Sequence, residues 1–225
     1  QGDRLFKVRA KSCVLATGSS EQHVVFRNND LPGVVLCSAL ERLINHYAVA
    51  PRGGLVVLAG NDQAWMTAFT AAEAGLSVAA VVDLRDAPDD AGLLAEANAR
   101  GMTVHMGAAV YTARRDSGNQ SLCGVDIHRI DAQGEVGELL AQTDCAVLAM
   151  SAGFMPAYQM ACQAGAKLDY DDERAAFTLS GLPEGLFLAG SVNSIHSLDA
   201  VLADGRNAAR AALSCIGMTA EEDES

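Results

Sequence analysis

The residues best placed to do chemistry follow the apolar run 55–59, in a turn over residues 60–65 that reads GNDQAW. A glycine-rich turn after a strand lets the backbone approach a pyrophosphate, whose charge then meets the free N–H groups of the next helix. This turn keeps only Gly60 of the three glycines that such a site uses, and Trp65 replaces a small residue. The sequence therefore carries a weakened form of a dinucleotide-binding turn.

A charge estimate leaves two interpretations of this turn. Asp62 places a carboxylate where phosphate oxygens would lie. Like charges about 4 Å apart repel by about 1 kcal/mol in water and roughly 4 kcal/mol at a surface-like dielectric. The attraction between an anion and a helix N-terminus contributes only about 0.3–1 kcal/mol. Either Gly60, Asn61 and Asp62 contact a dinucleotide that lies further out, or Asn61 or Asp62 caps the helix and binds nothing.

Asp83 ends the next apolar run, where an acidic residue would accept hydrogen bonds from a ribose diol and repel a 2′-phosphate. This position favours NAD over NADP as the ligand. Arg85 could accommodate a phosphate instead, but it stands among four aspartates, Asp83, Asp86, Asp89 and Asp90. An arginine in that setting is also a partner for the carboxylates, so both interpretations stay open.

Two further strand-to-glycine junctions lie near the ends of the chain, at residues 14–18 and 186–190. Parallel sheets bind ligands at the carboxyl ends of their strands, so we expect an edge formed by Thr17, Gly18, Gly190 and Ser191. The alternative is that these glycines only make tight turns. His196, beside the start of a predicted helix, is either catalytic or structural. The sequence offers no convincing catalytic residue and no metal site.

The elements that must position these residues alternate between strand and helix. The runs 55–59 and 78–82 predict parallel strands, with a helix over 63–74 between them, and Asp89-Asp90 predicts the start of another helix before a strand at 103–106. Three short strands at 110–115, 122–130 and 138–142 predict an antiparallel meander with a turn at Gln133-Gly134. The run 145–150 returns to the parallel sheet.

This order predicts an α/β fold in which a Rossmann-like, doubly wound parallel sheet with a meander is inserted into a split FAD/NAD(P)-binding, glutathione-reductase-like domain. The split domain is assigned residues 1–50 and 153–225, with a helix over 197–216 and with Gly153, a candidate cofactor-binding residue, at its junction. The insertion is assigned residues 51–152. The start of the chain is expected to be a cut end that lacks a GxGxxG turn, and the apolar run 13–16 is expected to be a buried strand. The acidic tail 221–224 is expected to be disordered.

The composition excludes several classes of function. Half of the residues are hydrophobic, a fifth are charged, and the net charge of −12 disfavours binding to nucleic acid. No apolar run approaches the roughly 20 residues that cross a bilayer, so we expect no membrane contact and a cytoplasmic location. The six cysteines form no CxxC pair and are expected to be reduced and mostly buried.

Several strings are more specific than a generic nucleotide fold requires. They are LATGSSE at 15–21, VFRNNDLPGV at 25–34, NHYAVAP at 45–51 and VAAVVD at 78–83, with a weaker late match around AGS at 189–191, Leu198, Ala200 and Asp204-Gly205. Together with the Asn61-Asp62 turn, these strings resemble the α subunit of heterotetrameric sarcosine oxidase, a two-dinucleotide-binding flavoprotein family.

The resemblance implies a segment of a subunit that binds NAD, encloses FAD or FMN shared with a β subunit, and serves an enzyme that oxidises N-methylglycine with oxygen. Amine oxidation then takes place on the β subunit, so the isolated segment is expected to be inactive and to hold no catalytic residue. It also implies that NAD lies in the split domain, near Gly190, Ser191 and Leu198. Many such flavoproteins have aspartate after the late glycine, where this chain has Ser191.

Other functions stay open or are disfavoured. The α subunits of proline, hydroxyproline and opine dehydrogenases share the two-lobed layout, and a ligand-free Rossmann scaffold would show the same elements. A short-chain dehydrogenase is disfavoured because no YxxxK pair is present, and a disulfide reductase because no CxxC is present.

Overall fold

The computed structural model of the chain describes residues 3–118, 120–171 and 176–219. The acidic tail 221–224 lies outside the described residues. The strands are β1 (Cys13–Leu15), β2 (Ser19–Gln22), β3 (Val34–Leu36), β4 (Gly54–Ala59), β5 (Ser77–Asp83), β6 (Val104–His105), β7 (Ala108–Arg115), β8 (Leu122–Ile130), β9 (Val136–Asp144), β10 (Val147–Ser151), β11 (Gly153–Pro156), β12 (Lys167–Asp171), β13 (Ala176–Ser180) and β14 (Leu186–Leu188). The α-helices are α1 (Cys37–Asn45), α2 (Asp62–Glu73), α3 (Ala91–Ala99), α4 (Gln159–Gln163) and α5 (Leu198–Cys215), and Gly190–Asn193 is a 3₁₀ helix.

The chain divides into two compact units. The central unit is Glu21–Gly153, and the outer unit is Gln1–Ser20 with Phe154–Ser225. The units divide after residues 20 and 153, whereas the boundaries expected from the sequence were after residues 50 and 152. Residues 21–50 lie in the central unit because β3 pairs with β10 and brings α1 with it.

A five-stranded parallel sheet in the order β3-β10-β4-β5-β6 forms the middle of the central unit. Apart from one register shift in the pairing of β4 with β5, side chains alternate between its two faces, and both faces are buried. Leu55, Val57 and Val81 belong to a core cluster with α1, α2 and α3, whereas Val56, Leu58 and Val82 belong to a second cluster with the meander. Burial on both faces explains why these strands read as continuous apolar runs. The predicted parallel α/β fold is confirmed.

The second cluster is closed by an antiparallel sheet in the order β7-β8-β9. The turn between β8 and β9 uses Gly134 at φ +80°, which is the left-handed conformation expected of that glycine. The predicted meander is therefore confirmed, and it covers the face of the parallel sheet opposite the helices.

In the outer unit, β1 and β14 pair in parallel with Val14 opposite Phe187. The prediction that strands near the two ends of the chain belong to one sheet is confirmed. α5 follows β14 and carries Leu198 at its start. β12 and β13 form a separate antiparallel pair, and β2 pairs with β11.

Two burial predictions are wrong. The strand at 13–16 was expected to be buried, yet Cys13 and Val14 are exposed, because β14 is the one strand that pairs with β1 within the described residues. The cysteines were expected to be mostly buried, but only Cys37 and Cys145 are, although all six are free thiols. Burial raises the pKa of the Cys145 thiol to about 12. None of the described helices is long and apolar enough to cross a bilayer.

Candidate functional site

The turn after β4 is closed by the neighbouring strand. The Gly60 N–H donates to the Ser151 carbonyl at 2.8 Å. A Cβ on Gly60 would lie 3.1 Å from the Ala152 Cα and 3.2 Å from the Ser151 carbonyl oxygen, which is closer than ordinary van der Waals contact. The close approach that requires glycine at position 60 is therefore made by the end of β10, a partner that the sequence did not reveal.

Asn61 caps α2. Its Oδ1 accepts from the Ala64 N–H at 3.2 Å, and its Nδ2 donates to the Ser151 Oγ at 2.8 Å. Of the two interpretations of this residue, capping is confirmed. Both ends of the Asn61 amide are engaged within the protein, so a ligand would have to replace one of these hydrogen bonds.

The Asp62 carboxylate binds the loop that follows β5. It accepts from the N–H groups of Asp89 at 3.1 Å and Asp90 at 2.8 Å, and it forms an ion pair with Arg85 at 2.9 Å. Partial burial opposes ionisation, but the two N–H groups and the guanidinium outweigh it, and the pKa of Asp62 is held below its ordinary value. The Asp62 carboxylate is thus held by the loop after β5 and places a negative charge at the start of α2.

Asp83 is fully buried. Its Oδ2 accepts from the Trp65 Nε1 at 2.7 Å and from Arg85 at 2.9 Å, and its Oδ1 accepts from the Arg85 main-chain N–H at 2.9 Å. The hydrogen bond to Asp83 is also the main reason why the pKa of Arg85 is raised. Both oxygens that were expected to face a ribose diol are turned inward and occupied, so Asp83 presents no acceptor to a ligand in this conformation.

Arg85 links these groups. Its guanidinium contacts Asp83, Asp62 and Asp89 within 3.2 Å. The structure therefore favours the interpretation of Arg85 as a partner for the surrounding carboxylates over its role as a phosphate ligand. Gly60, Asn61, Asp62 and Asp83 do lie together at the carboxyl edge of the sheet, since Ala59 pairs with Asp83. The side chains of Asp62, Asp83 and Arg85 occupy this edge of the sheet.

The outer unit brings its four predicted residues to one edge. β1 and β14 end in register, with Leu15 opposite Leu188, and the chain then turns at Gly18 with φ +76° and at Gly190 with φ +82°. The Ser191 Oγ lies 3.8 Å from where a Cβ on Gly18 would stand. The Thr17 hydroxyl donates to the Ala157 carbonyl at 2.8 Å. This edge is open at Gly18 and Ser191.

Sequence reasoning missed the role of Asp204 at this edge. The Asp204 Oδ2 accepts from the Gly190 N–H at 2.7 Å and from the Asn193 Nδ2 at 3.0 Å. It therefore fixes the 3₁₀ helix that begins at Gly190. The signal available was an acidic residue within an Ala-rich helix, which was noted only as part of the family resemblance.

The remaining predicted residues are less engaged. Leu198 starts α5 and is 72% exposed. Gly153 is the last residue of the central unit, with φ +132° and no atom within 4 Å of an added Cβ. His196 is exposed, and its ring lies 5.4 Å from that of Phe154. Within the described residues, no group of three or more His, Cys, Asp or Glu side chains could hold a metal ion.

The fold defines the class of protein to which the chain is similar. Its structure superposes on the thioredoxin reductase of Lactococcus lactis with a TM-score of 0.70 and 16% identity, over 92% of this chain and 66% of that one. It superposes on L-proline dehydrogenase from P. horikoshii with a TM-score of 0.59 and 22% identity, over 94% of this chain and 36% of that one. The chain therefore has the α/β fold of the FAD/NAD(P)-binding oxidoreductases.

Sequence comparison gives a closer relationship. The chain is 32% identical to sarcosine oxidase subunit alpha of Rhizobium meliloti, over 96% of this chain and 20% of that subunit. It is 33% identical to sarcosine oxidase subunit alpha of a Corynebacterium species, strain P-1, over 96% of this chain and 22% of that subunit. The resemblance to the sarcosine oxidase α subunit is confirmed: the chain is homologous to one segment of it.

A more distant relative is hydrogen cyanide synthase subunit HcnB of Pseudomonas aeruginosa, with 27% identity over 93% of this chain and 49% of that subunit. No protein-family model matches the chain. The chain spans about a fifth of the length of the sarcosine oxidase subunits that it matches.

Proposed function

We propose that this chain is the dinucleotide-binding segment of the α subunit of a flavin-dependent amine oxidoreductase, which oxidatively demethylates N-methylglycine. The observation that carries the proposal is the 31–33% identity to sarcosine oxidase α subunits over 90–96% of the chain. An identity of that size along nearly the whole chain goes beyond a shared fold. The segment contributes cofactor binding and subunit contacts, and amine oxidation takes place on a β subunit.

The geometry favours the outer unit as the place where NAD binds. In the central unit, the Asp62 carboxylate already meets the loop N–H groups, and Asp83 is buried against Trp65 and Arg85. A pyrophosphate there would face an ionised carboxylate. In the outer unit, Gly190 is buried, but the left-handed turn at Gly18 is half-buried and lies beside the half-buried Ser191 hydroxyl. We therefore assign Thr17, Gly18, Gly190, Ser191 and Leu198 to the dinucleotide.

Asp204 restricts how the ligand lies at that edge. Since its carboxylate already accepts the Gly190 N–H, a phosphate is disfavoured there and fits better beside Gly18. A sugar hydroxyl, which can donate to a carboxylate, suits the Gly190 side. When bound, FAD or FMN would supply the two-electron acceptor for the amine, and this chain would only help to enclose it.

Two alternatives follow from particular observations. The self-occupied turn of the central unit supports a role as a scaffold that positions other parts of the enzyme without binding a nucleotide. The likeness to L-proline dehydrogenase, at 22% identity, supports the fold but not a choice among proline, hydroxyproline, opine and N-methylglycine as the amine.

The activity is tested by reconstituting the full-length α subunit with its β subunit. We expect peroxide formation that depends on N-methylglycine. Absence of peroxide with N-methylglycine, together with proline-dependent reduction of an artificial electron acceptor, would transfer the assignment to the dehydrogenases.

The location of NAD is tested by calorimetry on the full-length α subunit. We expect Gly18→Val to weaken NAD at least tenfold and Asp62→Asn to leave it unchanged. Gly217→Val is the matched control, because Gly217 has a similar φ of +75°, has no atom within 4 Å of an added Cβ and follows α5 instead of β1. An NAD affinity that responds to the Asp62 variant alone would place the dinucleotide in the central unit, and no heat at millimolar NAD would support the scaffold.

A further inference from the structure

The central unit contains a groove that the dinucleotide proposal does not use. The groove has a volume of about 430 Å³, within the range of small-molecule sites. It is lined by Val24, Val25, Phe26, Arg27, Leu84, Ala109, Val110, Tyr111, His128, Ile130, Gly134 and Val136. We call this the meander groove, because seven of its twelve lining residues come from β7, β8, β9 and the turn between β8 and β9.

β7 and β8, two of the strands that line the meander groove, both contain irregular backbone. The pairing of β7 with β8 shifts register between Val110 and Thr112, so Tyr111 stands at a bulge. The pairing of β8 with β9 shifts on both sides of His128. Bulges redirect side chains and are enriched beside functional sites. The Tyr111 and His128 rings consequently lie 5.0 Å apart, tilted by 51°.

An extended segment forms the third wall. The Arg27 N–H donates to the Tyr111 carbonyl at 3.2 Å, and the Ala113 N–H donates to the Arg27 carbonyl at 2.9 Å. These bonds fix Arg27 beside the bulged Tyr111. Within the described residues Arg27 has no ion pair and is exposed, so its guanidinium is available to an anion.

The remaining lining is apolar. Val110 is buried, and Phe26, Leu84 and Ile130 are half-buried, while Val25 on the rim is 81% exposed. The His128 Nδ1 lies 3.0 Å from the Gly137 carbonyl, which can only accept, so this nitrogen carries the proton and the ring is held in place. The groove therefore combines an apolar floor, two fixed rings and one free cation.

We propose that the meander groove binds a small aromatic or apolar carboxylate. Its apolar part lies on Phe26, Val110 and Ile130 beside the two rings, and its carboxylate meets Arg27. This site stands apart from the dinucleotide proposal, because none of its lining residues belongs to either strand-end turn.

The test is calorimetry on the 225-residue chain with 2-naphthoate and with its neutral counterpart 2-naphthamide. We expect 2-naphthoate to bind at millimolar concentration or tighter. Arg27→Gln should weaken 2-naphthoate about tenfold, which corresponds to about 1.4 kcal/mol, and leave 2-naphthamide unchanged. Arg52→Gln is the matched control, since Arg52 is also exposed, has no ion pair within the described residues and lies outside the groove.

Ala109→Phe tests the position of the ligand. Ala109 lines the groove opposite His128 in the strand register, so a phenyl group there should abolish binding of both compounds. Chemical-shift changes in the unaltered chain, confined to residues 24–27, 109–111 and 128–136, provide a second readout that does not depend on folding of the variant. The proposal is overturned if 2-naphthoate does not bind, or if Arg27→Gln and Arg52→Gln change its affinity equally. It is also overturned if the chemical-shift changes lie elsewhere, or if a partner polypeptide rather than the carboxylate covers these residues.

Discussion

Asp83 is the residue whose role changes most between a local and a three-dimensional view. At the end of a Rossmann strand, an exposed carboxylate serves a ribose, whereas here the same carboxylate accepts from Trp65 and Arg85 in the protein interior. A buried charge is tolerated only when it is paired and hydrogen-bonded. The hydrogen-bonded group of Asp83, Trp65 and Arg85 is thus a structural feature of the central unit.

Replacing Asp83 should destabilise the central unit strongly. We expect Asp83→Ala to lower its free energy of unfolding by roughly 3 kcal/mol, because the Trp65 N–H and the Arg85 guanidinium lose their partner. Trp65 is the single tryptophan of the chain and is fully buried, so its fluorescence in a urea titration reports on this unit. Asp86→Ala, at an exposed position in the same loop, should change stability by less than about 0.5 kcal/mol.

Asp62 should make the central unit sensitive to acid. Its folded-state pKa is depressed from an ordinary value of 3.8. Its stabilisation is therefore complete above pH 3.8 and is lost as the pH falls through the lower folded-state value. In an acid titration followed by Trp65 fluorescence, Asp62→Asn should be less stable than the unaltered chain at pH 7 and lose less stability between pH 4 and 2. Parallel acid profiles for the two proteins would contradict this assignment.

At the scale of elements, the ends of β4 and β10 determine the shape of the turn that follows. The chain leaves β4 at Gly60 with its N–H bonded to Ser151 and enters α2 at the Asn61 cap. The same glycine would serve pyrophosphate binding in a dinucleotide site. Here the end of the neighbouring strand β10 occupies the space that a side chain at position 60 would need.

We therefore expect Gly60→Ala to be destabilising even without a ligand. The added methyl would meet β10 at 3.1–3.2 Å, and separating the two strand ends should cost about 1–2 kcal/mol. The measurement is urea denaturation followed by Trp65 fluorescence. Gly205→Ala should have the opposite sign in thermal unfolding followed by circular dichroism, because Gly205 lies inside α5 with open space around it, and alanine favours a helix by up to about 1 kcal/mol.

At the scale of the whole molecule, the two units differ in how much apolar core they contain. Both large hydrophobic clusters lie within the central unit, between Val24 and Met150. In the described part of the outer unit, the buried apolar residues are mostly small: Ala161, Ala166, Ala189, Val192, Ala208 and Ala212. Small side chains bury little area, and burial is the main source of stability.

The central unit should consequently fold without the outer one. We expect a polypeptide of residues 21–153 to unfold in one cooperative step, with Trp65 fluorescence and far-ultraviolet circular dichroism giving the same midpoint. A matching polypeptide of residues 51–153, the boundary expected from the sequence, should be less stable because it lacks β3 and α1. Equal stability of the two polypeptides would show that β3 and α1 contribute nothing to this core.

The strand and helix order of this protein was determined locally. Apolar runs such as 55–59 and 78–82, the helix signals at Asp90 and Ser197, and the turn at Gly134 each act over a few residues, and all appear where expected. The pairing of β1 with β14 also followed from sequence, since each run ends in glycine at the edge of one sheet.

Only the tertiary structure decided which side chains remain available at the predicted sites. That Asp62 and Asp83 are occupied, that Asp204 binds Gly190, and that β3 joins the central sheet all depend on contacts between residues far apart in the chain. No local pattern encodes such contacts, because a carboxylate at a strand end has the same sequence signature whether it faces a ribose or an indole N–H. Packing in the folded molecule therefore determines which donors and acceptors remain free.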